Sequence, residues 1–384
     1  MKRSVLVFVG TRPEAVKMAP VVFALRERGE RFRTLLVSTG QHREMLTQTL
    51  GDFGLAPDID LDLMVRNQSL AQLSSNLFRA VDEVLERERP AMVLVQGDTT
   101  TVMVVSLCAF YRGIPCGHVE AGLRSHNMHA PFPEELNRCI AGLTASLHFA
   151  PTQRAVDTLS AEGVPAESIH LTGNTGIDAL LWTAARLRSA PPELSEDVRT
   201  VLDSGRRFVL VTGHRRENFG QGFQSICRAL RELAAKYPDV FFLYPVHLNP
   251  NVREVVYAEL ADCVNIVLTK PLAYRQFVFV MQAAHCLLTD SGGVQEEAPS
   301  LGKPVLVMRE VTERPEGVDA GCSRLVGTDT DDIIAGVSEL LDNVNGSYER
   351  MGGTQNPYGD GLAAGRIAAV VNGCLGDGED APCA

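Results

Sequence analysis

The chain has 384 residues, with 36 basic and 47 acidic side chains, a net charge of −11 and 45% hydrophobic residues. At roughly 150 residues per domain this predicts two domains, each able to bury a core without disulfide staples. The acidic balance argues against a general binder of nucleic acid or anionic membranes, and the composition excludes collagen, coiled coil and disulfide-rich miniprotein.

The first predicted strand is 4–9, followed by the turn Gly10-Thr11-Arg12-Pro13 and a helix from 14 to about 28, closed by Gly29. A second strand is expected at 34–38. Ser69-Leu70-Ala71-Gln72 has the form of a capping box. Behind it Leu70, Leu73, Leu77, Val81, Val84 and Leu85 fall on one helical face. Pro90 ends that helix, and 92–96 reads as a buried strand. Gly97-Asp98, three threonines and an apolar helix follow, then strands at 117–119 and 170–172, with a further strand-to-helix unit beginning at 149. Residues 183–206, with Pro191-Pro192, read as helix and linker at a domain boundary.

At 208–212 the pattern restarts. This strand leads into Gly213-His214-Arg215-Arg216-Glu217, and both halves therefore begin strand, Gly-x-Arg-x-Glu, helix. Further strands are predicted at 241–244, 266–268, 286–289 and 305–308. Strands alternating with helices predict an α/β protein with parallel sheets, built as two similar units in tandem. The run at 5–9 is too short for a signal peptide, and 102–111 is too short to span a bilayer. Nine cysteines stand singly, which supports neither a zinc ribbon nor a redox pair and fits a reducing cytoplasm.

In open parallel sheets, ligands collect at the carboxyl ends of strands. The loops there carry the chemistry-bearing residues. Asp290-Ser291-Gly292-Gly293 lets backbone N–H groups approach an anion and suits a diphosphate, although a plain tight turn is the other reading. Glu297 is early enough in the following helix to reach ribose hydroxyls, whereas Glu296 reads as a solvated helix face. Arg12, Arg215 and Arg216 sit at expected helix starts, against the helix dipole. That placement points to a bound anion, the other reading being surface pairing to Glu14 or Glu217. Asp98, Glu120, Glu134 and Glu135 are the acidic set, and Asp98 could instead cap its helix. His214 could protonate a leaving phosphate, His247 could equally be a turn residue, and His42 and His118 read as structural.

These stretches together resemble the bacterial non-hydrolysing UDP-N-acetylglucosamine 2-epimerases. The similarity runs through Gly10-Thr11-Arg12-Pro13-Glu14 with Lys17, Gln41-His42-Arg43-Glu44, Gly97-Asp98-Thr99-Thr100-Thr101 and His118-Val119-Glu120-Ala121-Gly122. It continues through Pro133-Glu134-Glu135, Thr212 to Asn218, Pro245-Val246-His247, residues 289–308 and Glu313-Arg314-Pro315-Glu316.

The resemblance implies two Rossmann-like domains facing a cleft, of glycosyltransferase B type. The N-terminal domain would be 1–178, joined by a C-terminal helix at about 360–376. The UDP-binding domain would be 179–359, and 377–384 a loose tail. The implied reaction is interconversion of UDP-N-acetylglucosamine and UDP-N-acetylmannosamine by anti elimination of UDP and re-addition through 2-acetamidoglucal. It would supply an activated sugar for cell-surface polysaccharide, with no nicotinamide cofactor or metal. The implied catalytic residues are Asp98, Glu120, Glu134 and His214. The implied substrate contacts are Arg12, Lys17, Arg138, Phe277, Ser291, Gly292, Gly293, Glu297 and Arg314. An activator site would use Gln41, His42, Arg215 and His247. A cytoplasmic homodimer is expected, with no nucleic-acid or membrane partner. Asn67 and Leu272 depart from the family pattern, at the activator site and the uracil site.

Three other functions are disfavoured, the sensor because Asp98, Glu120 and Glu134 are all present. A glycosyltransferase would need an acceptor site, and a hydrolysing relative would release free N-acetylmannosamine with UDP. A non-catalytic sensor of nucleotide sugars would lack the acids.

Overall fold

The structure is a computed structural model, and it describes residues 2–29, 31–40, 43–63 and 68–376. The expectations for Gln41, His42, Asn67 and the 377–384 tail fall outside the described residues. The chain divides into two compact units, residues 1–179 with 359–384, and residues 180–358.

The first unit holds seven strands: β1 (Arg3–Val9), β2 (Phe32–Ser38), β3 (Ile59–Asp60), β4 (Met92–Gln96), β5 (Cys116–Val119), β6 (Leu147–Ala150) and β7 (Ile169–Leu171). They form one sheet in the order β3-β2-β1-β4-β5-β6-β7. Every pairing in it is parallel. The second unit holds six: β8 (Phe208–Thr212), β9 (Phe241–Pro245), β10 (Ile266–Thr269), β11 (Cys286–Thr289), β12 (Val305–Val307) and β13 (Ser323–Leu325). Their order, β10-β9-β8-β11-β12-β13, repeats that of β3 to β6 in the first sheet, without a counterpart of β7, and is again all parallel.

The pattern of the central strands explains their place. Val5 to Val9 and Met92 to Val95 are fully buried, as strands must be when helices cover both faces of a sheet. The helix Leu70–Glu88 lays Leu73, Leu77, Val81, Val84 and Leu85 on the first sheet, with Ser69 accepting the Gln72 N–H as its cap. Phe223, Ile226, Leu230 and Leu233 of the helix Gln221–Lys236 do the same on the second. The short edge strands β3 and β13 were not anticipated, because two or three residues carry no periodicity.

The last helix, Ala363–Cys374, belongs to the first unit and packs on the helix Arg12–Arg26. Its start is held by Asp178, whose carboxylate accepts the N–H groups of Ala363 and Ala364 at 3.2 and 2.8 Å. In each sheet the strand order reverses between two neighbours, β1 and β4 in the first and β8 and β11 in the second. At such a reversal the following helices diverge to opposite faces and leave a crevice at the strand ends. The loops at those two points are Gly10-Thr11-Arg12 with Gly97-Asp98, and Gly213-His214-Arg215 with Asp290-Ser291-Gly292.

Candidate active-site residues in the two units

In the first unit, Glu14 ties the two loops together. It is buried, and one carboxylate oxygen accepts the N–H groups of Gly10 and Thr11 at 2.5 and 2.7 Å. The other oxygen accepts the Thr99 hydroxyl at 2.5 Å. Burial pushes its carboxyl above the usual range, although these bonds oppose the shift. Glu14 is therefore not the partner of Arg12. Arg12, the first residue of its helix, is half-buried and makes no side-chain hydrogen bond or ion pair among the described residues.

Asp98 is not the helix cap either. Thr99 takes that position and accepts the Val102 N–H. Released from capping, the Asp98 carboxylate receives Nε and Nη2 of Arg138 at 3.0 and 2.7 Å, both on Oδ2. Asn137 donates to the Asp98 carbonyl at 2.8 Å. The helix Glu134–Thr144 thus grips the end of β4 through two consecutive residues.

The two adjacent glutamates of that helix have opposite environments. Glu135 is 1% exposed and accepts N–H groups of Ser125 and His126 together with Arg138 Nη1. Burial alone would raise its carboxyl, but the Ser125, His126 and Arg138 bonds hold it below the usual carboxylate range. Glu134 has one carboxylate oxygen buried without any hydrogen-bond partner. Glu135 is thus a brace for the 125–126 turn, and Glu134 is left with acceptor capacity to use.

Glu120 follows β5 in a left-handed backbone conformation, φ 67°, uncommon for a side-chain-bearing residue. It costs about 1 kcal/mol or more, and such outliers gather at functional sites. Its Oε2 pairs with Lys17 and accepts the Gln96 amide at 2.8 Å. Lys17, expected on substrate, is thereby placed on a candidate catalytic carboxylate. Gly122, two residues on, has φ 89°, and a Cβ there would lie 2.3 Å from the Ala155 carbonyl oxygen. His118 is a buried sheet residue. Its Nε2 meets the Gly97 carbonyl at 2.7 Å, and burial lowers its pKa to about 4.

In the second unit Asp290, fully buried at the end of β11, organises the loop after β8. One oxygen accepts the N–H groups of His214 and Arg215, each at 2.8 Å, and the other lies 3.2 Å from His214 Nδ1. Burial would raise this carboxyl, but the His214 and Arg215 bonds hold it below the usual range. With Nδ1 turned to Asp290, the outer nitrogen of His214 is free to serve a ligand. His247 stacks on His214 with ring centroids 5.5 Å apart. Burial, then the neighbouring His214, lowers the His247 pKa.

Arg215 and Arg216 do not begin a long helix as expected. Arg216 opens a single turn, Arg216–Asn218, and the helix starts only at Gln221. Glu217, the other supposed surface partner, pairs with Arg309 at 2.5 Å. Arg215 keeps a buried Nε without a partner, and its Nη2 stands 3.6 Å from where a Gly292 side chain would begin. Arg314 stands 3.4 Å from the same point on Gly292. The space in front of Gly293 is open, with nothing within 4 Å of a side-chain position. Two guanidinium groups and the backbone of Ser291-Gly292-Gly293 therefore surround a place suited to an anion of phosphate type.

Glu296 is a correction to the sequence reading. It is not a solvated helix face but a buried carboxylate that receives Arg314 Nε at 2.7 Å. Glu297 is half-buried, and Phe277 is half-buried on the helix Tyr274–Ala283 between β10 and β11. Among the described residues no group of three His, Cys, Asp or Glu side chains could hold a metal ion. No described helix is long and apolar enough to cross a membrane.

Two Rossmann-like units with polar loops at their strand reversals define the glycosyltransferase B class of α/β proteins. Likeness to a Rickettsia africae glycosyltransferase at 11% identity and TM-score 0.64 supports that fold alone. The chain belongs to the UDP-N-acetylglucosamine 2-epimerase family, whose model matches residues 24–372. It is 50% identical over 370 residues to the UDP-N-acetylglucosamine 2-epimerase of Salmonella typhimurium, covering 96% of this chain and 98% of the relative. The Escherichia coli K12 enzyme of the same name is 49% identical over 369 residues, with the same coverage. A crystal structure of the Neisseria meningitidis 2-epimerase bound to UDP-GlcNAc is 43% identical, with TM-score 0.85 over 96% of this chain and 99% of that one.

Proposed function

We propose that this chain interconverts UDP-N-acetylglucosamine and UDP-N-acetylmannosamine by eliminating UDP and adding it back through 2-acetamidoglucal. Support comes from the family relationship and from the Neisseria meningitidis relative's complex with UDP-GlcNAc. The observation that carries the reading is a set of three acids, each with a different support, in the first unit. Asp98 rests on Arg138, Glu120 on Lys17 and Gln96, and Glu134 keeps an unpartnered buried oxygen.

The proton on C2 of the sugar is not beside a carbonyl, so it is not acidic. It becomes removable as the C1–O bond breaks and C1 gains cationic character. In the forward step a carboxylate takes the C2 proton, the C2–H electron pair becomes the C1=C2 double bond, and UDP leaves with the C1–O pair. In the return step a proton reaches C2 from the other face and a phosphate oxygen of UDP attacks C1. Two faces require more than one proton-handling group, and Asp98, Glu120 and Glu134 are assigned to that work.

Departure of UDP needs preorganised positive charge. Arg12 is assigned to the substrate in the first unit, and Arg314 with the backbone of Ser291, Gly292 and Gly293 to the diphosphate in the second. His214, oriented by Asp290, can give the leaving phosphate a proton or a hydrogen bond. Glu297 is assigned to the ribose and Phe277 to the uracil. A role in cell-surface polysaccharide supply, a cytoplasmic setting, a homodimer and an activator site with Arg215 and His247 belong to the same proposal.

Incubation with UDP-N-acetylglucosamine in deuterium oxide tests it. Deuterium should enter C2 as the manno epimer forms. Epimer without C2 label would refute the elimination route. Free UDP released in step with N-acetylmannosamine would instead indicate a hydrolase, and an idle protein an acceptor-dependent transferase or a sensor.

A further inference from the structure

The second unit ends in the segment Asn356-Pro357-Tyr358, which has no place in the chemistry above. Its two polar side chains each hold one flank of the anion site. Asn356 Nδ2 donates to the Glu296 carbonyl at 2.8 Å and to Ser300 Oγ at 2.6 Å, on the helical run that Gly292 and Gly293 begin. Its own Oδ1 accepts the Tyr358 N–H at 3.0 Å, which sets the turn between the two residues. Tyr358 is 3% exposed. Its hydroxyl donates to the Arg314 carbonyl at 2.9 Å and accepts the Gly317 N–H at 2.9 Å. Arg314 is thus fixed at its backbone by Tyr358 and at its guanidinium by Glu296.

We propose that Tyr358 is a positioning residue for phosphate recognition: its hydroxyl holds the turn that carries Arg314, so that the guanidinium stays beside Gly292 where a nucleoside diphosphate would bind. The physical case is the density of constraint at one arginine. A long side chain loses rotamer freedom when it binds an anion, and the cost is smaller if the chain is already held. Arg314 sits at the entry to the helix Pro315–Ala320 with backbone angles outside the helical range, φ −123° and ψ 58°. Pro315 has no N–H to tie that turn from within. The Tyr358 hydroxyl supplies the tie on both sides, at residue 314 and at residue 317. Burial raises the Tyr358 pKa, so the hydroxyl keeps its proton and its donor role at any physiological pH.

The inference rests on the proposed UDP site, and the test separates the two. Y358F removes one oxygen and keeps the ring. Binding of UDP and of uridine, which has no phosphates, is measured by calorimetry on wild-type protein, Y358F, R314A and the double variant. The expected result is a roughly five- to thirty-fold weaker UDP affinity for Y358F, the range for weakening one charge-assisted contact between Arg314 and phosphate. Uridine affinity should stay within about two-fold, because a site that lacks only phosphate recognition treats uridine as wild type does. In turnover kcat/KM should fall along with UDP affinity, and Y358F should add little in the R314A background. Equal loss of UDP and uridine affinity would show a merely structural role and overturn the inference, as would unchanged UDP affinity. Wild-type protein that binds no UDP would overturn the nucleotide site itself. If Y358F does not fold, E296Q, which keeps an acceptor for Arg314 but loses the charge, should show the same split between UDP and uridine. Its absence there would overturn the clamp.

Discussion

Two buried histidines in the first sheet should make stability fall steeply in mild acid. His118 and His148 are 1% and 2% exposed and face each other as partners on β5 and β6. Burial, more than any neighbour, lowers both pKa values from 6.5 to about 4. The geometry gives the reason. Nε2 of His118 is used on the Gly97 carbonyl, and Nδ1 of each ring is buried without a partner. Protonation would place an N–H where nothing accepts it. A group with a lowered folded pKa contributes stability that is complete above its unfolded value, near 6.5, and is lost as pH falls toward 4. Linkage gives a loss of about 2 kcal/mol per ring by about pH 5. The pair together loses about 4 kcal/mol. Urea unfolding at about pH 7.5 and about pH 5, followed by far-UV circular dichroism, measures it. H148Q should be less sensitive to the drop than wild type by about 2 kcal/mol. A pH dependence identical in both would refute the argument that these rings are held neutral by burial.

Four further outcomes follow from the same geometry. D98N keeps the Arg138 bonds, since one oxygen accepts both, and should cut turnover by about two orders of magnitude or more with UDP affinity intact; steady-state kinetics and calorimetry check it. E14A strands the Gly10 and Thr11 N–H groups and the Thr99 hydroxyl. It should cost about 3 kcal/mol or more in urea titration, and E14Q clearly less. G122A forces a side chain toward the Ala155 carbonyl at positive φ and should cost about 2–5 kcal/mol by the same measurement. K17A leaves Glu120 with the Gln96 amide as its remaining side-chain support and should lower turnover by about an order of magnitude or more in steady-state kinetics, with the fold unchanged by circular dichroism.

The ends of the central strands were legible because their cause is local. A parallel strand covered on both faces must be apolar along its length, and 92–95, 208–211 and 286–288 show that run, each closed by a polar residue at the carboxyl end. The chemistry-bearing loops then follow from position alone. The roles of neighbouring polar residues were not legible. Glu134 and Glu135 are both acids in the first turn of one helix, yet only Glu135 is satisfied, by the turn at 125–126. Glu296 reads in the sequence as a solvated helix face, and only the fold brings Arg314 onto it. A signal for Glu14 did exist. An acid three residues after Thr11 is the form of a capping box, and its burial could have been argued from the apolar residues around it.

By itself the sequence determined the alternation of strands and helices, the repeat of one α/β plan, and the membership of a family carried by long motifs. These properties rest on periodicity and on contiguous residues. The tertiary structure alone decided which carboxylates are braces and which keep acceptor capacity, and that Asp98 pairs with an arginine rather than capping a helix. It also showed that Tyr358 reaches back to Arg314. Each of those outcomes depends on a partner far along the chain, and the desolvation that makes such a partner matter exists only once the chain has packed.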